Sequence, residues 1–281
     1  MKAVFSYWST TENSLINATN WINPKYQLYS WVIAINQARK WYDKVEIVTD
    51  SLALPLFQKL KLPYTEIHTV LDELIDYDKK LWALGKIKAY QIQDEPFIHI
   101  DNDVFLLEDS LNKFKNEKIV CQNIENGHQY KGYYEPLINI LEENEVNILD
   151  KDGLPQYWRL TENSPCMAIY LCNDLRFNEE YCRVVFNFVD VNKKLLEDLE
   201  RSITVPLCYS VIFEQYLAAQ VAEQLRVPIT PMCENSNLAA LEKLGYVHLW
   251  GGKKNEEWYY YTEKIVKRDY PEQFEIIQSF Y

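Results

Sequence analysis

Glycine is scarce in this sequence, which has only 7 glycines among its 281 residues. It has no glycine-rich loop of the Walker or dinucleotide-binding type, and this argues against a kinase or a dehydrogenase. Its six cysteines include no Cys-x-x-Cys pair, so a zinc finger and a thioredoxin-like redox site have no support either. No run approaches the ~18 apolar residues that a membrane-spanning helix needs, and we expect no transmembrane segment.

Basic residues are also few, because 29 lysines and arginines stand against 41 aspartates and glutamates, for a net charge of -12. A surface of that sign repels phosphate backbones, so we expect no nucleic-acid partner. One small phosphorylated ligand remains compatible with it, since a bound divalent cation supplies positive charge locally. The sequence opens on a strand-like segment without the apolar stretch of a signal peptide, and we predict a cytoplasmic protein with reduced, buried cysteines. Peripheral membrane association and oligomeric state are left open.

The first hundred residues alternate between strand-like and helix-like segments. Strands are predicted at 3–8, 44–49, 64–69 and 96–100, and helices at 24–42, 52–61 and 78–92. This order predicts an α/β fold in which helices flank a mostly parallel sheet. Ligands bind beyond the carboxyl ends of strands in such sheets, so Ser6 to Trp8, Asp50 and Asp101 to Asp103 are expected on one rim.

The rest of the sequence is less regular. Strands are predicted near 118–124, 167–172 and 246–250, and helices over 178–201, 207–226 and from about 262 onward. No linker, low-complexity tract or repeat divides the chain, so we predict a single domain over 1–281 with a decorated C-terminal part.

The segment Asp101-Asn102-Asp103 follows the apolar strand that ends at residue 100. Two carboxylates held close together raise one pKa, whereas a divalent cation stabilises both as anions. Oxygen ligands of this kind suit Mg²⁺ or Mn²⁺. A solvated acidic turn is the alternative, but apolar residues on both sides favour a position at the rim of a sheet.

The stretch 82–109 resembles the metal-binding region of GT-A glycosyltransferases and is most similar to glycosyltransferase family 8, the glycogenin and lipopolysaccharide-galactosyltransferase group. The resemblance implies a GT-A, Rossmann-like fold with a nucleotide-binding half over 1–110, and an acceptor-side half with a C-terminal helix over 111–281. It also implies that Asp101 and Asp103 hold Mn²⁺ or Mg²⁺ against the diphosphate of a nucleotide-sugar, with a UDP-sugar favoured. Lys86 matches a basic, donor-binding position of that family.

A second match is the segment from His248 to Lys254, which resembles the His-x-x-Gly-x-x-Lys pattern of the same family. It implies that His248 is a third metal ligand and that Lys254 meets the diphosphate, where it would stabilise the leaving group. Gly251 would let the backbone approach the phosphates. The Pro-Trp that usually follows this lysine in the family is absent, and a structural histidine in a strand is the alternative for His248.

Further candidates are weaker matches to motifs of the same family. Asn163, in Asn-Ser-Pro, resembles its Asn-Ser-Gly segment near the donor sugar, with proline in place of glycine. Glu214 and Gln215 resemble an acidic-Gln pair beside the reacting carbon, although two polar residues on a solvated helix face explain them equally well. Three N-terminal residues are expected to contact the nucleotide: Tyr7 and Trp8, one of which should be in the core, and Asp50.

These observations predict a metal-dependent glycosyltransferase that moves a hexose from a nucleotide-sugar to a saccharide or lipid-linked acceptor. Family 8 implies retention of anomeric configuration. A GT-A-like protein that binds nucleotide-sugar or carbohydrate without turnover is the first alternative. A phosphohydrolase of the haloacid-dehalogenase type is the second, because it also has Asp-x-Asp after an apolar strand.

Overall fold

The computed structural model describes residues 1–18, 20–153, 156–202, 208–234, 237–249 and 251–281. The strands are β1 Lys2–Ser6, β2 Val45–Val48, β3 Glu66–His68, β4 Phe97–Ile100, β5 Val104–Leu106, β6 Ile119–Cys121, β7 Ile124–Glu125, β8 Ser164–Pro165, β9 Ile169–Cys172, β10 Ile229–Pro231 and β11 Tyr246–His248. The α-helices are α1 Pro24–Trp41, α2 Leu54–Leu60, α3 Leu84–Gln91, α4 Gly127–Gln129, α5 Glu135–Glu143, α6 Leu175–Ser202, α7 Leu217–Leu225, α8 Leu238–Glu242, α9 Glu256–Asp269 and α10 Pro271–Gln278. Two π-helical segments precede α5 and α7, at Tyr130–Tyr134 and Ile212–Tyr216.

The first of two compact units combines residues 1–73, 98–113 and 238–281. Its sheet strands run in the order β4-β1-β2-β3, and β1, β2 and β3 are parallel, with Phe5 opposite Ile47 and Ile47 opposite Ile67. β5 and β11 form a separate antiparallel ribbon. Helix α1 begins as predicted, with the Asn23 side chain accepting from the Lys25 N–H and Pro24 in the first turn.

The second compact unit combines residues 74–97 and 114–237. Its strands run in the order β10-β6-β9, with β6 parallel to β10 and antiparallel to β9. The long helix α6 packs against α3 and α7. The predicted single domain with halves 1–110 and 111–281 stays a prediction, and each compact unit draws residues from both halves.

The predicted strands and helices are present, except that the strand predicted near 118–124 is divided into β6 and β7, which pair in different sheets. Two helices also begin at other residues than predicted. Helix α3 starts at Leu84 rather than near 78, because the Asp78 carboxylate accepts from the Lys80 N–H and forms a turn there. The helical tail starts at Glu256 rather than near 262, because the Asn255 side chain caps α9 through the Trp258 N–H. Positions 207 and 250, which the predicted helix 207–226 and strand 246–250 included, lie outside the described residues.

The cysteines are present as thiols, and four of the six are buried. In the described part of the chain, none of the helices combines the length and apolar character that crossing a membrane requires.

Candidate functional site

The segment after β4 is held beside the segment after β11 by backbone pairing. A turn in which the Val104 N–H donates to the Asp101 carbonyl at 3.0 Å leads from β4 into β5. In the β5–β11 ribbon Val104 lies opposite His248, and one residue further the Leu249 N–H donates to the Asp103 carbonyl at 2.9 Å. His248 therefore lies beside Asp103 although almost 150 residues separate them in the sequence.

The Asp103 carboxylate is buried, with 3% exposure, and has basic side chains beside it. The Lys253 Nζ lies 2.8 Å from Asp103 Oδ2, and the His248 Nε2 lies 3.7 Å from the same oxygen. Burial alone raises the pKa of Asp103, but the charges of Lys253 and His248, with their hydrogen bonds, outweigh it and hold that pKa well below its usual range. Asp103 is therefore an anion whose charge is balanced within the chain.

Asp101 is the more accessible carboxylate, with 28% of its side chain exposed. The Nδ1 of His99 lies 3.8 Å from Asp101 Oδ1, and the His99 Nε2 lies 2.9 Å from the Ser6 hydroxyl at the end of β1. His99 and Asp101 share a face because they are two residues apart on an extended segment. Between the aspartates, the Asn102 amide nitrogen is buried and has no hydrogen-bond partner within the described ranges.

Two carboxylates and an imidazole form a donor set that suits Mn²⁺. The ligand atoms of Asp101, Asp103 and His248 do not all lie within 4.8 Å of one another, and among the described residues the group with that spacing is Glu46, Glu66 and His68. The Asp103 oxygen nearest His248 is held by Lys253. The predicted ligands fit a divalent cation by their chemistry, and Lys253 is the group that competes with it.

The two adjacent lysines after β11 have different partners. The Lys254 Nζ donates to the Trp21 carbonyl at 3.3 Å, whereas the Lys253 Nζ pairs with Asp103 and lies 5.3 Å from the centre of the Trp21 ring. Gly251 precedes them with φ of 71°, a backbone conformation that favours glycine. The structure brings Lys253 to Asp103, and the phosphate contact that the sequence pattern predicted for Lys254 stays a prediction.

Asp50 lies at the end of β2 and is 2% exposed. Its two oxygens accept from the Ser9 N–H at 2.7 Å, the Ser9 hydroxyl at 2.8 Å and the Ala53 N–H at 3.0 Å. These bonds join the loop after β1 to the start of α2. The nucleotide contact predicted for Asp50 stays a prediction, and the bonds themselves show how this carboxylate orders the loop.

Tyr7 and Trp8 both lie largely inside the first unit. The Tyr7 ring makes edge contacts with Trp31 and Phe57 at centroid distances of 6.2 and 6.0 Å, and its hydroxyl lies 2.9 Å from Ser14 Oγ. Burial raises the pKa of Tyr7 to about 12. Trp8 is 9% exposed. Their predicted contact with a nucleotide base stays a prediction, and the Tyr7 contacts are those of a core side chain.

In the second unit, Lys86 forms a buried ion pair with Glu214. The Lys86 Nζ also donates to the Met167 carbonyl at 3.0 Å, and the Tyr181 hydroxyl donates to the Glu214 carbonyl. Lys86 and Glu214 are 7% and 1% exposed. The structure thus brings together two predicted site residues from distant parts of the sequence, and the positive charge of one neutralises the other.

Gln215 shares with Glu214 the π-helical segment that precedes α7. Its side-chain oxygen lies 3.0 Å from the Tyr134 hydroxyl, whose single proton it shares with the Glu125 carboxylate. Burial raises the pKa of Glu125, although the hydrogen bond from Tyr134 opposes the shift. π-Helical turns within α-helices are frequent at functional sites. Gln215 therefore has a fixed orientation, and the catalytic roles predicted for this pair stay predictions.

Asn163 lines a different part of the second unit. It contributes to a cavity of about 440 Å³ whose other lining residues include Thr161, Glu223 and Arg226. Its side-chain amide donates to the Thr161 hydroxyl at 2.9 Å. Lys86, Glu214 and Gln215 do not line this cavity, so within this unit the predicted sugar contact is not grouped with the predicted catalytic pair.

A protein-family model, described as "Family of unknown function (DUF6734)", matches residues 1–280. The chain belongs to this family. A comparison with curated proteins gives no match. The family membership covers the entire region that contains the aspartates, His248 and both lysines.

Comparison with solved structures shows the fold of this DUF6734 chain. The bifunctional glycosyltransferase WbbM, in its apo form, is similar with a TM-score of 0.50 and 12% identity, over 99% of this chain and 51% of WbbM, so the chain spans about half of that structure. The chain is also similar to mouse xyloside xylosyltransferase 1 in its apo form, with a TM-score of 0.41 and 10% identity over 82% of this chain and 85% of that one. A further similar structure is the 4-diphosphocytidyl-2C-methyl-D-erythritol synthase of Anaerococcus prevotii, with a TM-score of 0.41 and 9% identity over 95% of this chain and 97% of that one. The predicted GT-A-type α/β fold, with a mostly parallel sheet flanked by helices, is confirmed.

Two residues of the candidate site were absent from the sequence prediction. The sequence does not predict a role for Lys253, because the His-x-x-Gly-x-x-Lys spacing selects its neighbour Lys254. His99 had a usable signal, since it lies on β4 two residues before Asp101, which follows directly after that strand, and such residues share a face of an extended segment.

Proposed function

We propose that the chain is a glycosyltransferase that moves a hexose from a nucleotide-sugar, with a UDP-sugar favoured, to a saccharide or lipid-linked acceptor. Metal dependence, similarity to family 8 and retention of configuration are parts of the same proposal. The observation that supports it most is the meeting of Asp103, His248 and Lys253 beyond the end of β4, where α/β sheets bind ligands.

The chemistry at this site follows from the charges that meet there. Asp101, Asp103 and His248 would hold the divalent cation, which when bound neutralises charge on the donor diphosphate. Lys253 and Lys254 lie on the turn after Gly251, where an ammonium group can stabilise the negative charge of a departing nucleoside diphosphate. Lys253 would exchange the Asp103 carboxylate for a phosphate oxygen, because both are anionic acceptors at hydrogen-bond distance.

The remaining predicted polar groups, Gln215, Glu214 and Asn163, lie within the second unit. Gln215 is held by Tyr134 and can orient a sugar hydroxyl without changing its charge. Glu214 is paired with Lys86, so its carboxylate would act by holding Lys86 in place. Asn163 would contact sugar from the wall of its own cavity.

The test is calorimetric binding of UDP and GDP with and without Mn²⁺, followed by measurement of nucleoside diphosphate released from a panel of nucleotide-sugars. Asp103→Asn should abolish metal-dependent binding, because the amide removes the anionic charge. Asp109→Asn is the matched control, since this exposed aspartate lies outside the site and the variant should bind as the wild type does.

The outcomes separate the alternatives. Metal-dependent binding with sugar release supports the transferase. Tight binding without release or transfer would mean a GT-A-like binding protein, and hydrolysis of a generic phosphomonoester that requires Asp101 would mean a phosphohydrolase. If Asp103→Asn leaves nucleotide binding unchanged, the assignment of the site is wrong.

A further inference from the structure

Three side chains with metal-binding atoms meet on one face of the sheet in the first unit. Glu46 of β2 lies opposite Glu66 of β3, and His68 lies two residues beyond Glu66. Residues two apart on a strand share a face, as do residues in register on neighbouring parallel strands. The ligand atoms of the three side chains all lie within 4.8 Å of one another. We call these residues the edge cluster, because β3 is the outermost strand on this side of the described sheet.

The separations within the edge cluster suit ligands around a cation better than hydrogen-bonded partners. The His68 Nε2 lies 3.7 Å from Glu46 Oε2 and 3.8 Å from Glu66 Oε1. Both separations exceed the length of about 2.7–3.2 Å that N–H···O hydrogen bonds have. Zn²⁺ binds nitrogen and oxygen at about 2.0–2.2 Å, so tetrahedral ligands lie about 3.3–3.5 Å apart. Small side-chain movements would therefore close the three atoms around such an ion.

Glu46 is the buried member of the edge cluster, and its orientation is fixed. Its side chain is 7% exposed, and its Oε1 lies 3.1 Å from the Lys2 Nζ. Its other oxygen, Oε2, is the one that faces His68. Carboxylates that bind metals commonly have such a hydrogen-bonded partner outside the metal shell, which holds the ligand in place. The two carboxylates and this one ammonium group leave a net negative charge at the cluster, which attracts a cation.

The exposure and the donor types of the edge cluster define the ion that it suits. The side chains of His68 and Glu66 are 31% and 62% exposed, so an ion can enter from solvent and a water can complete its shell. Imidazole nitrogen is a good ligand for Zn²⁺, whereas Mg²⁺ and Ca²⁺ take oxygen ligands. Three protein ligands with one water are the coordination of an open zinc site.

The edge cluster is distinct from the aspartate site. Asp101 and Asp103 follow β4, and the strand order β4-β1-β2-β3 places β2 two strands and β3 three strands away from β4. Neighbouring strands lie about 4.8 Å apart, so the cluster is roughly 10–14 Å from β4. One ion therefore cannot be shared by the two sets of residues.

We propose that Glu46, Glu66 and His68 form a Zn²⁺ site that joins β2 to β3. The ion would bind the His68 Nε2 and one oxygen of each glutamate, with water as the fourth ligand. Because the three ligands meet only when β2 and β3 are paired, the ion would stabilise the folded chain. The site is independent of nucleotide-sugar binding, and it stands whether or not the transferase proposal does.

The test is calorimetric titration of the full chain with Zn²⁺ alone, in the wild type and in Asp103→Asn, which weakens any binding of Zn²⁺ at the aspartate site. We expect one Zn²⁺ per chain to bind in Asp103→Asn. Adding His68→Gln should lower that affinity about tenfold or more, because the loss of a partner outside the metal shell already costs about 10–100-fold. His128→Gln is the matched control, since it removes an exposed imidazole of the second unit and should leave the affinity unchanged.

A second measurement follows urea unfolding with and without Zn²⁺. The ion should raise the urea midpoint of the wild type and of His128→Gln, and it should have little effect on His68→Gln. Absence of Zn²⁺ binding, or an affinity that His68→Gln leaves unchanged, would overturn the proposal. Equal losses of affinity in His68→Gln and His128→Gln would also overturn it, because they would mean weak binding at exposed histidines in general. Destabilisation by His68→Gln with an unchanged response to Zn²⁺ would show that His68 serves only as an ion-pair partner of the glutamates.

Discussion

Lys253→Met removes the ammonium group that lies 2.8 Å from Asp103 Oδ2 and keeps a side chain of similar length. The carboxylate that remains is 3% exposed and has the His248 ring 3.7 Å away. Asp103 would then be a buried anion without the ammonium group nearest to it. We expect the variant to fold and to be measurably less stable than the wild type.

The size of the loss follows from the exposure of the two partners. Removing one member of a fully buried ion pair costs about 3–5 kcal/mol, because the other charge is left without compensation. The Lys253 side chain is 33% exposed, so water screens part of its interaction with Asp103. A charge-assisted hydrogen bond contributes about 1.5–3 kcal/mol, and we expect a loss of about 2 kcal/mol in the free energy of unfolding.

Urea unfolding followed by tryptophan fluorescence measures this loss, with and without Mn²⁺. A cation that binds beside Asp103 should stabilise Lys253→Met more than the wild type, because the competing ammonium is gone. At a concentration 100 times its dissociation constant, the cation adds about 2.7 kcal/mol. Lys254→Met is the matched control: it removes the ammonium group that donates to the Trp21 carbonyl at 3.3 Å, and it should not change the response to Mn²⁺.

Two results would refute this reasoning. A Lys253→Met protein as stable as the wild type would mean that the ion pair of Lys253 with Asp103 contributes nothing to the free energy of unfolding. An equal loss from Lys253→Met when Asp103 is already Asn would mean that the lysine acts through some other contact.

Further predictions concern the stability of the fold. Glu214→Gln should lower the free energy of unfolding by about 3–5 kcal/mol, because Lys86 loses its buried counter-ion. The double variant Lys86→Met with Glu214→Leu should lose less stability than Glu214→Gln, and urea unfolding measures both. Gly245→Ala should lower the free energy of unfolding by well over 1 kcal/mol, since its φ is 67° and the added Cβ would lie 2.5 Å from Cγ of Glu108, just after β5. Gly153→Ala, at φ 75° with open space around it, should lower it by about 1 kcal/mol. Equal losses in the two variants would contradict the clash at Gly245. Asn23→Ala should cost about 1 kcal/mol by removing the cap of α1, and a negligible loss in thermal unfolding would show that the cap does not contribute.

Much of the fold could be predicted from the sequence because its signals are local. The strand that ends before Asp101, the helix that begins after Asn23 and the alternation of strands with helices each depend on residues within a few positions of one another. The residue types of the candidate site could be predicted as well, since paired carboxylates at a strand end and a histidine close to glycine and lysine can be recognised in the sequence alone. The helix expected from 78 failed at its start because a side-chain hydrogen bond by Asp78 outweighed helical periodicity.

The pairing of charges was decided by the tertiary structure. Sequence spacing selected Lys254, but the turn after Gly251 presents Lys253 to Asp103 and directs Lys254 to a backbone carbonyl. The ion pair of Lys86 with Glu214 likewise joins residues 128 positions apart. Such contacts depend on strand register and helix rotation, where a shift of one residue reverses the direction of a side chain. The sequence by itself therefore indicated the two aspartates and His248 as candidate groups, and the folded chain determined that Lys253 lies beside Asp103 and His99 beside Asp101.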